Sequence, residues 1–255
     1  MQANIGGIVP LSTVDWHGRS ALVIFFGGCP FRCGYCQNYN LLSGSNLVDL
    51  EWVQKRILES KPFISAVVFL GGEPLLQAEA AEQIAAFSKM NGLHVGIHTN
   101  GFYPEAVSNL INKGLADKFF IDVKAPLTGL SLEKVIGMSS SSSSAAAAKI
   151  IESVQIIDQS PLELEVKTTV FPDIVGTKAD IRLIAEWLNG NIFQKQKLTY
   201  VLQQGKGQNS NDPVFQKMSF LSPAEMDELA KTALRYLEGA AVFTQTDEEG
   251  RVEKS

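Results

Sequence analysis

Apolar residues along the chain fall into short continuous runs separated by longer stretches with helical spacing. ALVIFF (21–26), AVVFL (66–70), LHVGIHT (93–99), KFFIDVK (118–124), LEVKTTVF (164–171) and KLTYVLQQ (197–204) have strand length and predict buried strands. AAVFTQ (240–245) predicts a last short one. Between them, LVDLEWVQKRILES (47–60) carries Leu50, Val53, Ile57 and Leu58 at helical intervals. QAEAAEQIAAFSKM (77–90) is Ala-rich and amphipathic, and PEAVSNLINK (104–113) opens on proline and stops at Gly114. Helices are also predicted over 145–158 and 178–188, and Ser222 with Glu225 forms a capping-box pattern ahead of a helix to about 237.

Strands of this length alternating with helices argue for parallel βαβ units with right-handed crossovers. Periodicity alone leaves two arrangements open, an open doubly wound sheet and part of a barrel. In both, ligands sit at the C-terminal ends of the strands. Two segments depart from the pattern. SSSSSSAAAA (139–148) reads as a flexible serine loop running into a helix start, and 205–220 reads as a long polar loop of the kind that carries function or moves. No domain boundary is visible. The expectation is one domain over 1–255, with 205–255 as a C-terminal extension completing the sheet.

Composition narrows the function. The 255 residues are 45% hydrophobic and 19% charged, with a formal net charge of −5, so no basic excess exists to neutralise phosphates and no nucleic-acid partner is expected. The longest apolar run is too short to span a bilayer, and the first 20 residues lack the pattern of a secretory signal. A cytoplasmic protein with no membrane partner is the expectation.

All three cysteines lie between 29 and 36, in GGCPFRCGYCQN directly after the first strand. A disulfide staple would not crowd every thiol into one turn. Cys29, Cys33 and Cys36 in a C-x3-C-x2-C pattern read instead as ligands of an iron–sulfur cluster. A cubane has four irons, so three thiolates leave one iron open to an outside ligand. A structural zinc site would need a fourth protein ligand, and His17, His94 and His98 do not lie at zinc-ribbon spacing.

C-x3-C-x2-C after the first strand resembles the signature of the radical S-adenosylmethionine (SAM) superfamily. STVDWHGRSALVIFFGGCPFRCGYCQN is similar to the N-terminal region of glycyl-radical-enzyme activating proteins. These include pyruvate formate-lyase activating enzymes and, more closely, anaerobic ribonucleoside-triphosphate reductase activating proteins. FLGGEP (69–74), HTNG (98–101), IDVK (121–124) and EVKTTVFPD (165–173) follow in that family's order, over roughly residues 8 to 205.

The resemblance implies an α/β fold, a partial parallel (β/α)6 barrel of radical SAM type. It implies a 4Fe–4S cluster on the three cysteines and SAM on a set of surrounding residues. Tyr35 would lie near the adenine and Asn38 near the ribose, with Gln37 beside it. Gly71, Gly72 and Glu73 would receive the methionine ammonium, and Lys124 with Asp122 the carboxylate end, a cation matched to an anion. Alone, that last pair would read as a surface ion pair. Thr99 and Asn100 would close the site. His98 stands where the family often has an acidic residue associated with a cation, which puts a cation site in doubt; His17 receives no role. Lys167 and Thr169 are further candidates for the cavity wall.

The chemistry so implied is reductive cleavage of SAM and hydrogen-atom abstraction from a glycine of a partner glycyl radical enzyme, most closely anaerobic ribonucleoside-triphosphate reductase. Ferredoxin or flavodoxin would supply the electron. No catalytic acid or base of the protein is expected, because the cofactors carry the bond chemistry. Two other readings stand beside it: a radical SAM enzyme acting on a small molecule or peptide, and a non-catalytic metal-binding scaffold.

Overall fold

The computed structural model describes residues 1–127, 130–208 and 210–255, and its backbone is organised by a ten-stranded sheet. The strands are β1 (Gln2–Ser12), β2 (Ala21–Phe26), β3 (Leu47–Asp49), β4 (Ala66–Gly71), β5 (His94–Thr99), β6 (Lys118–Asp122), β7 (Glu163–Val170), β8 (Leu198–Gln204), β9 (Ala241–Thr246) and β10 (Gly250–Lys254). The helices are α1 (Leu50–Ser60), α2 (Ala78–Met90), α3 (Pro104–Asn112), α4 (Leu130–Ile136), α5 (Ser140–Asp158), α6 (Lys178–Asn191), α7 (Pro213–Gln216) and α8 (Pro223–Tyr236). Among the described residues no helix is long and apolar enough to cross a membrane.

Sheet order is β10-β9-β8-β7-β6-β5-β4-β2-β1-β3. From β2 through β9 every neighbouring pair is parallel, while β1, β3 and β10 join the edges antiparallel. The terminal strands β3 and β10 do not pair, so the barrel stays open. The parallel βαβ units are those that the residue pattern predicted, and the open, partial-barrel arrangement is the one that the resemblance implied.

Side-chain alternation divides each strand between two cores. Leu22, Ile24 and Phe26 of β2, with Val67 and Phe69 of β4, face the large cluster shared with the outer helices. Ala21 and Val23, with Ala66, Val68 and Phe120, form a smaller cluster with Trp16 on the other face. Trp16 enters from the β1–β2 connection and packs edge-on to Phe120 at 5.8 Å. Space for it exists because residue 96 is glycine; a Cβ there would stand 2.7 Å from Trp16 Cε3.

Below the cavity described next, the inner face carries a buried charge cluster. Glu165 is fully buried and accepts a two-pronged bond from Arg251 at 3.0 and 3.1 Å. Lys118 and Lys167 stand 3.2 and 3.4 Å from the same carboxylate. The cluster ties β6, β7 and β10 together.

Two local expectations are corrected, and one strand is new. Residues 47–49 form β3 rather than a helix start, because they complete a ladder with the open edge of β1. The serine run is helical from residue 140, not a loop. Ser143, Ala146 and Ala147 are buried at helical spacing, and α5 lies against α3, so packing overrides the weak propensity of serine. The N-terminal strand β1 escaped notice because Gly6, Gly7 and Pro10 interrupt its pattern; its pairing with β2 shifts register between Val9 and Ser12, around that proline.

Candidate active site

The C-terminal ends of the parallel strands open into a cavity of about 420 Å³. The segment after β2, residues 27–38, forms one wall and carries all three cysteines, none of them disulfide-bonded. Backbone bonds pin this segment to the end of β4: Glu73 N donates to Gly28 O and Gly72 N donates to Phe26 O, both at 2.8 Å. Only glycine fits at residue 72, since a Cβ would collide with the Gly28 carbonyl oxygen. Asn38 adds a third tie, its Nδ2 donating to Gly71 O at 3.0 Å.

Burial pushes the Cys29 thiol up to about 11 and the Cys33 thiol up to about 12. Cys36 is raised by the same cause. Thiolates in this pocket therefore need a positive centre against them, and loading a metal group releases protons. Asn100 supplies a neutral donor, with Nδ2 at 3.6 Å from Cys29 Sγ.

Tyr35 also fits a bound group. Its ring lies between Phe171 at 5.1 Å and Phe215 at 5.8 Å, and its buried hydroxyl has no hydrogen-bond partner among the described residues. A buried hydroxyl left unpaired in the free chain points to a ligand that pairs it. Phe215 belongs to α7, so part of the 205–220 loop closes over the cysteine segment. Gln37 reaches the same loop through a 3.4 Å bond to the Lys206 carbonyl.

At the end of β6, Lys124 donates to Asp122 Oδ2 at 2.8 Å. Burial disfavours the Lys124 charge, but Asp122 beside it outweighs burial and holds the lysine protonated well above its ordinary value. Asp122 is pushed up by burial and pulled down further by Lys124, which leaves it ionised. The pair lines the cavity, with the lysine the more buried partner.

Glu73 requires a correction. It is fully buried behind the cavity wall and does not line the cavity. Its Oε1 accepts from Leu75 N at 3.0 Å and Thr99 Oγ1 at 2.8 Å, and its Oε2 accepts from Asn100 N at 2.7 Å. The carboxylate joins the ends of β4 and β5 instead of receiving an ammonium directly. Burial nonetheless pushes its carboxyl up to about 7.

Gly71, Gly72, Thr99, Asn100, Asp122, Lys124, Tyr35, Gln37 and Asn38 do line the cavity with the three cysteines, as do Lys167 and Thr169. His98 lines it too, stacked on Phe120 at 4.1 Å with Nε2 3.0 Å from the Asp15 carbonyl. Burial, aided by Lys167, pushes the imidazole down to about 3, so it is neutral and donates through Nε2. Sequence reasoning missed Asp15, Gln203 and Gln245, the remaining polar side chains of the lining. The signal for the two glutamines was present: each lies one step from its strand's end, on the inward-facing phase.

Comparison with known proteins agrees with this geometry. Residues 23–161 match the Radical SAM superfamily. A Methanocaldococcus jannaschii protein provisionally named as a glycyl-radical enzyme activating enzyme is 31% identical over 96% of this chain and 97% of its own. A pyruvate formate-lyase-activating enzyme of Staphylococcus epidermidis is 25% identical over 93% of this chain and 96% of its own. The crystal structure of a radical SAM methyltransferase from Sphaerobacter thermophilus superposes with a TM-score of 0.69 at 12% identity, covering 90% of this chain and 67% of that one, a likeness of fold alone. A 4Fe–4S cluster and SAM are the cofactors that go with this family. The protein belongs to the radical SAM superfamily and, within it, to the glycyl-radical-enzyme activating enzymes.

Proposed function

We propose that this chain installs a glycyl radical on a partner enzyme, most closely an anaerobic ribonucleoside-triphosphate reductase, with ferredoxin or flavodoxin as electron donor. Cys29, Cys33 and Cys36 hold three corners of the cluster, and SAM occupies the cavity beside them. When bound and reduced, these two cofactors supply a carbon-centred radical able to take a hydrogen atom from glycine. The observation that carries the reading is the convergence of three unpaired, half-buried thiols and a partly exposed ammonium–carboxylate pair on one cavity.

The chain's residues bind, orient and exclude water. Lys124 meets the carboxylate of the SAM methionine, held by Asp122 so that its charge is aimed rather than free. Gly71 and Gly72 bring bare backbone to the methionine ammonium, which a carbonyl can accept. Tyr35 offers its unpaired hydroxyl to the nucleoside, and Asn38 and Gln37 flank it. Glu73 acts at one remove, fixing Thr99 and Asn100. Phe171 and Phe215 shield the Tyr35 side from solvent. We further read residues 1–255 as one radical SAM unit in which 205–255 complete the sheet; the β8–β9 ladder and the Arg251–Glu165 bond support this.

Anaerobic reconstitution with iron, sulfide and SAM, followed by reduction in the presence of candidate glycyl radical enzymes, tests the activating role. The expected result is a carbon-centred EPR doublet on one partner. SAM cleavage without a doublet on any candidate would reject the activating role and leave the family assignment standing.

A further inference from the structure

Gln203 and Gln245 sit directly opposite one another in the parallel β8–β9 ladder, and both line the cavity. Side chains opposite each other on adjacent strands emerge on the same face about 5 Å apart. Neither carboxamide has a hydrogen-bond partner among the described residues, although both side chains are half-buried. The next residue shows the contrast. Gln204 points the other way, donates to Leu221 O at 2.7 Å and accepts from Asp247 N at 3.0 Å, so it is fully used by the fold. Nothing structural employs the two inward carboxamides, yet each holds a donor and an acceptor at the edge of a site walled by charged groups.

We propose that Gln203 and Gln245 read the backbone of the substrate segment and place its glycine in the cavity. The inference rests on the reading of the chain as an activating enzyme. A glycine has no side chain, so the residue that loses the hydrogen atom can be recognised only through its own amide groups and those beside it. An extended peptide presents an N–H and a C=O in alternation. Two neighbouring carboxamides present the complementary set, neutral and therefore free of the desolvation penalty a charged reader would incur. They stand on β8 and β9, at the other end of the parallel run from β2, which leaves the β4–β6 side of the cavity to the groups described above. Gln203 and Gln245 are positioning residues in this account.

The test uses the reconstituted enzyme with SAM bound and no reductant. The probe is a fluorescein-labelled, C-amidated heptapeptide with glycine at its centre between alanines, alongside a twin carrying N-methylglycine there. Wild type should bind the glycine peptide about tenfold tighter than the N-methyl twin. Gln203→Leu and Gln245→Leu should each weaken the glycine peptide roughly fivefold to tenfold, the loss expected for one unmade hydrogen bond. In the double variant the preference for glycine should fall below twofold. Should the leucine variants fail to hold iron, the isosteric Gln203→Glu carries the same test, because it keeps the acceptor and loses the donor. Unchanged affinity in the variants, equal binding of both peptides by wild type, or no binding by wild type at millimolar peptide would each overturn the proposal. A Cα-dideuterated glycine peptide with dithionite separates the two levels. Deuterium reaching 5′-deoxyadenosine equally in wild type and variants sinks the carboxamide role alone; glutamine-dependent binding with no deuterium transfer sinks glycine as the substrate.

Discussion

Asn100 donates from Nδ2 to Cys29 Sγ at 3.6 Å, across from the end of β5 to the cysteine segment after β2. The carboxamide cannot turn away, because its Oδ1 accepts from Phe102 N at 2.9 Å. Its backbone N–H is held in turn by Glu73. A donor is thereby aimed at a thiol that carries negative charge once it ligates iron.

Hydrogen bonds to ligating sulfur favour the more negative, reduced state of a cluster. Asn100→Leu should therefore lower the midpoint potential of the reconstituted cluster, read by potentiometric EPR titration, while iron content stays at the wild-type level. An unshifted potential would mean that the contact has no electronic role.

Glu73 joins three donors from two strands in a fully buried position. Glu73→Ala leaves Leu75 N, Thr99 Oγ1 and Asn100 N without their acceptor. At about 1 kcal/mol or more per stranded donor, the loss is roughly 3 kcal/mol, or about 6–12 °C in melting temperature for a chain of this size. Differential scanning calorimetry checks this, and a shift of less than about 2 °C would place Glu73 outside the structural frame.

Glu165 sets a limit in acid. Burial would raise its carboxyl from the ordinary 4.5, but Lys167, Arg251 and Lys118 outweigh burial and hold it at about 2. An acid depressed in the folded state contributes stability that is complete above pH 4.5 and disappears as pH falls through about 2. The amount lost across that window is about 3 kcal/mol. Arg251→Met removes one cation, so the midpoint of acid unfolding followed by circular dichroism should move to higher pH. Coincident curves for the two proteins, each of which loses its cluster in acid, would contradict the account.

His98 acts in a milder range. Its imidazole falls from 6.5 to about 3 on folding, chiefly through burial, so the folded chain resists a proton that the unfolded chain accepts. Stability is then complete above 6.5 and declines as pH falls toward 3, by about 1.4 kcal/mol per pH unit once below 6.5. Urea unfolding at pH 7 and pH 5 should show wild type losing about 2 kcal/mol more than His98→Gln. Equal losses would indicate that the imidazole is solvated.

The parts of the fold that could be read beforehand are those where local pattern and tertiary demand coincide. ALVIFF, AVVFL and KFFIDVK are buried on both faces, so their runs are continuous and their ends mark the site. The cysteines, the glycine pair and the Asp122–Lys124 pair were legible because each follows such a run. What escaped depends on distant partners. β1 is a strand only because β2 and β3 flank it, and the serine run of α5 is helical because one face of that helix, with Ser143, Ala146 and Ala147, is buried. Glu73 looked like a ligand from its place in GGEP, but Thr99 and Asn100 on the next strand turn its carboxylate away from the cavity. Gln203 and Gln204 are adjacent and chemically identical; only strand phase and the arrival of Leu221 and Asp247 distinguish a free carboxamide from a structural one.

The account depends most on three thiols holding a cluster that opens SAM. The most direct measurement is the yield of 5′-deoxyadenosine from anaerobically reconstituted protein given SAM and dithionite. Wild type should form it, and Cys33→Ser should form none. Protein that retains zinc without sulfide, or that holds iron and sulfide yet leaves SAM intact under reduction, would contradict the account.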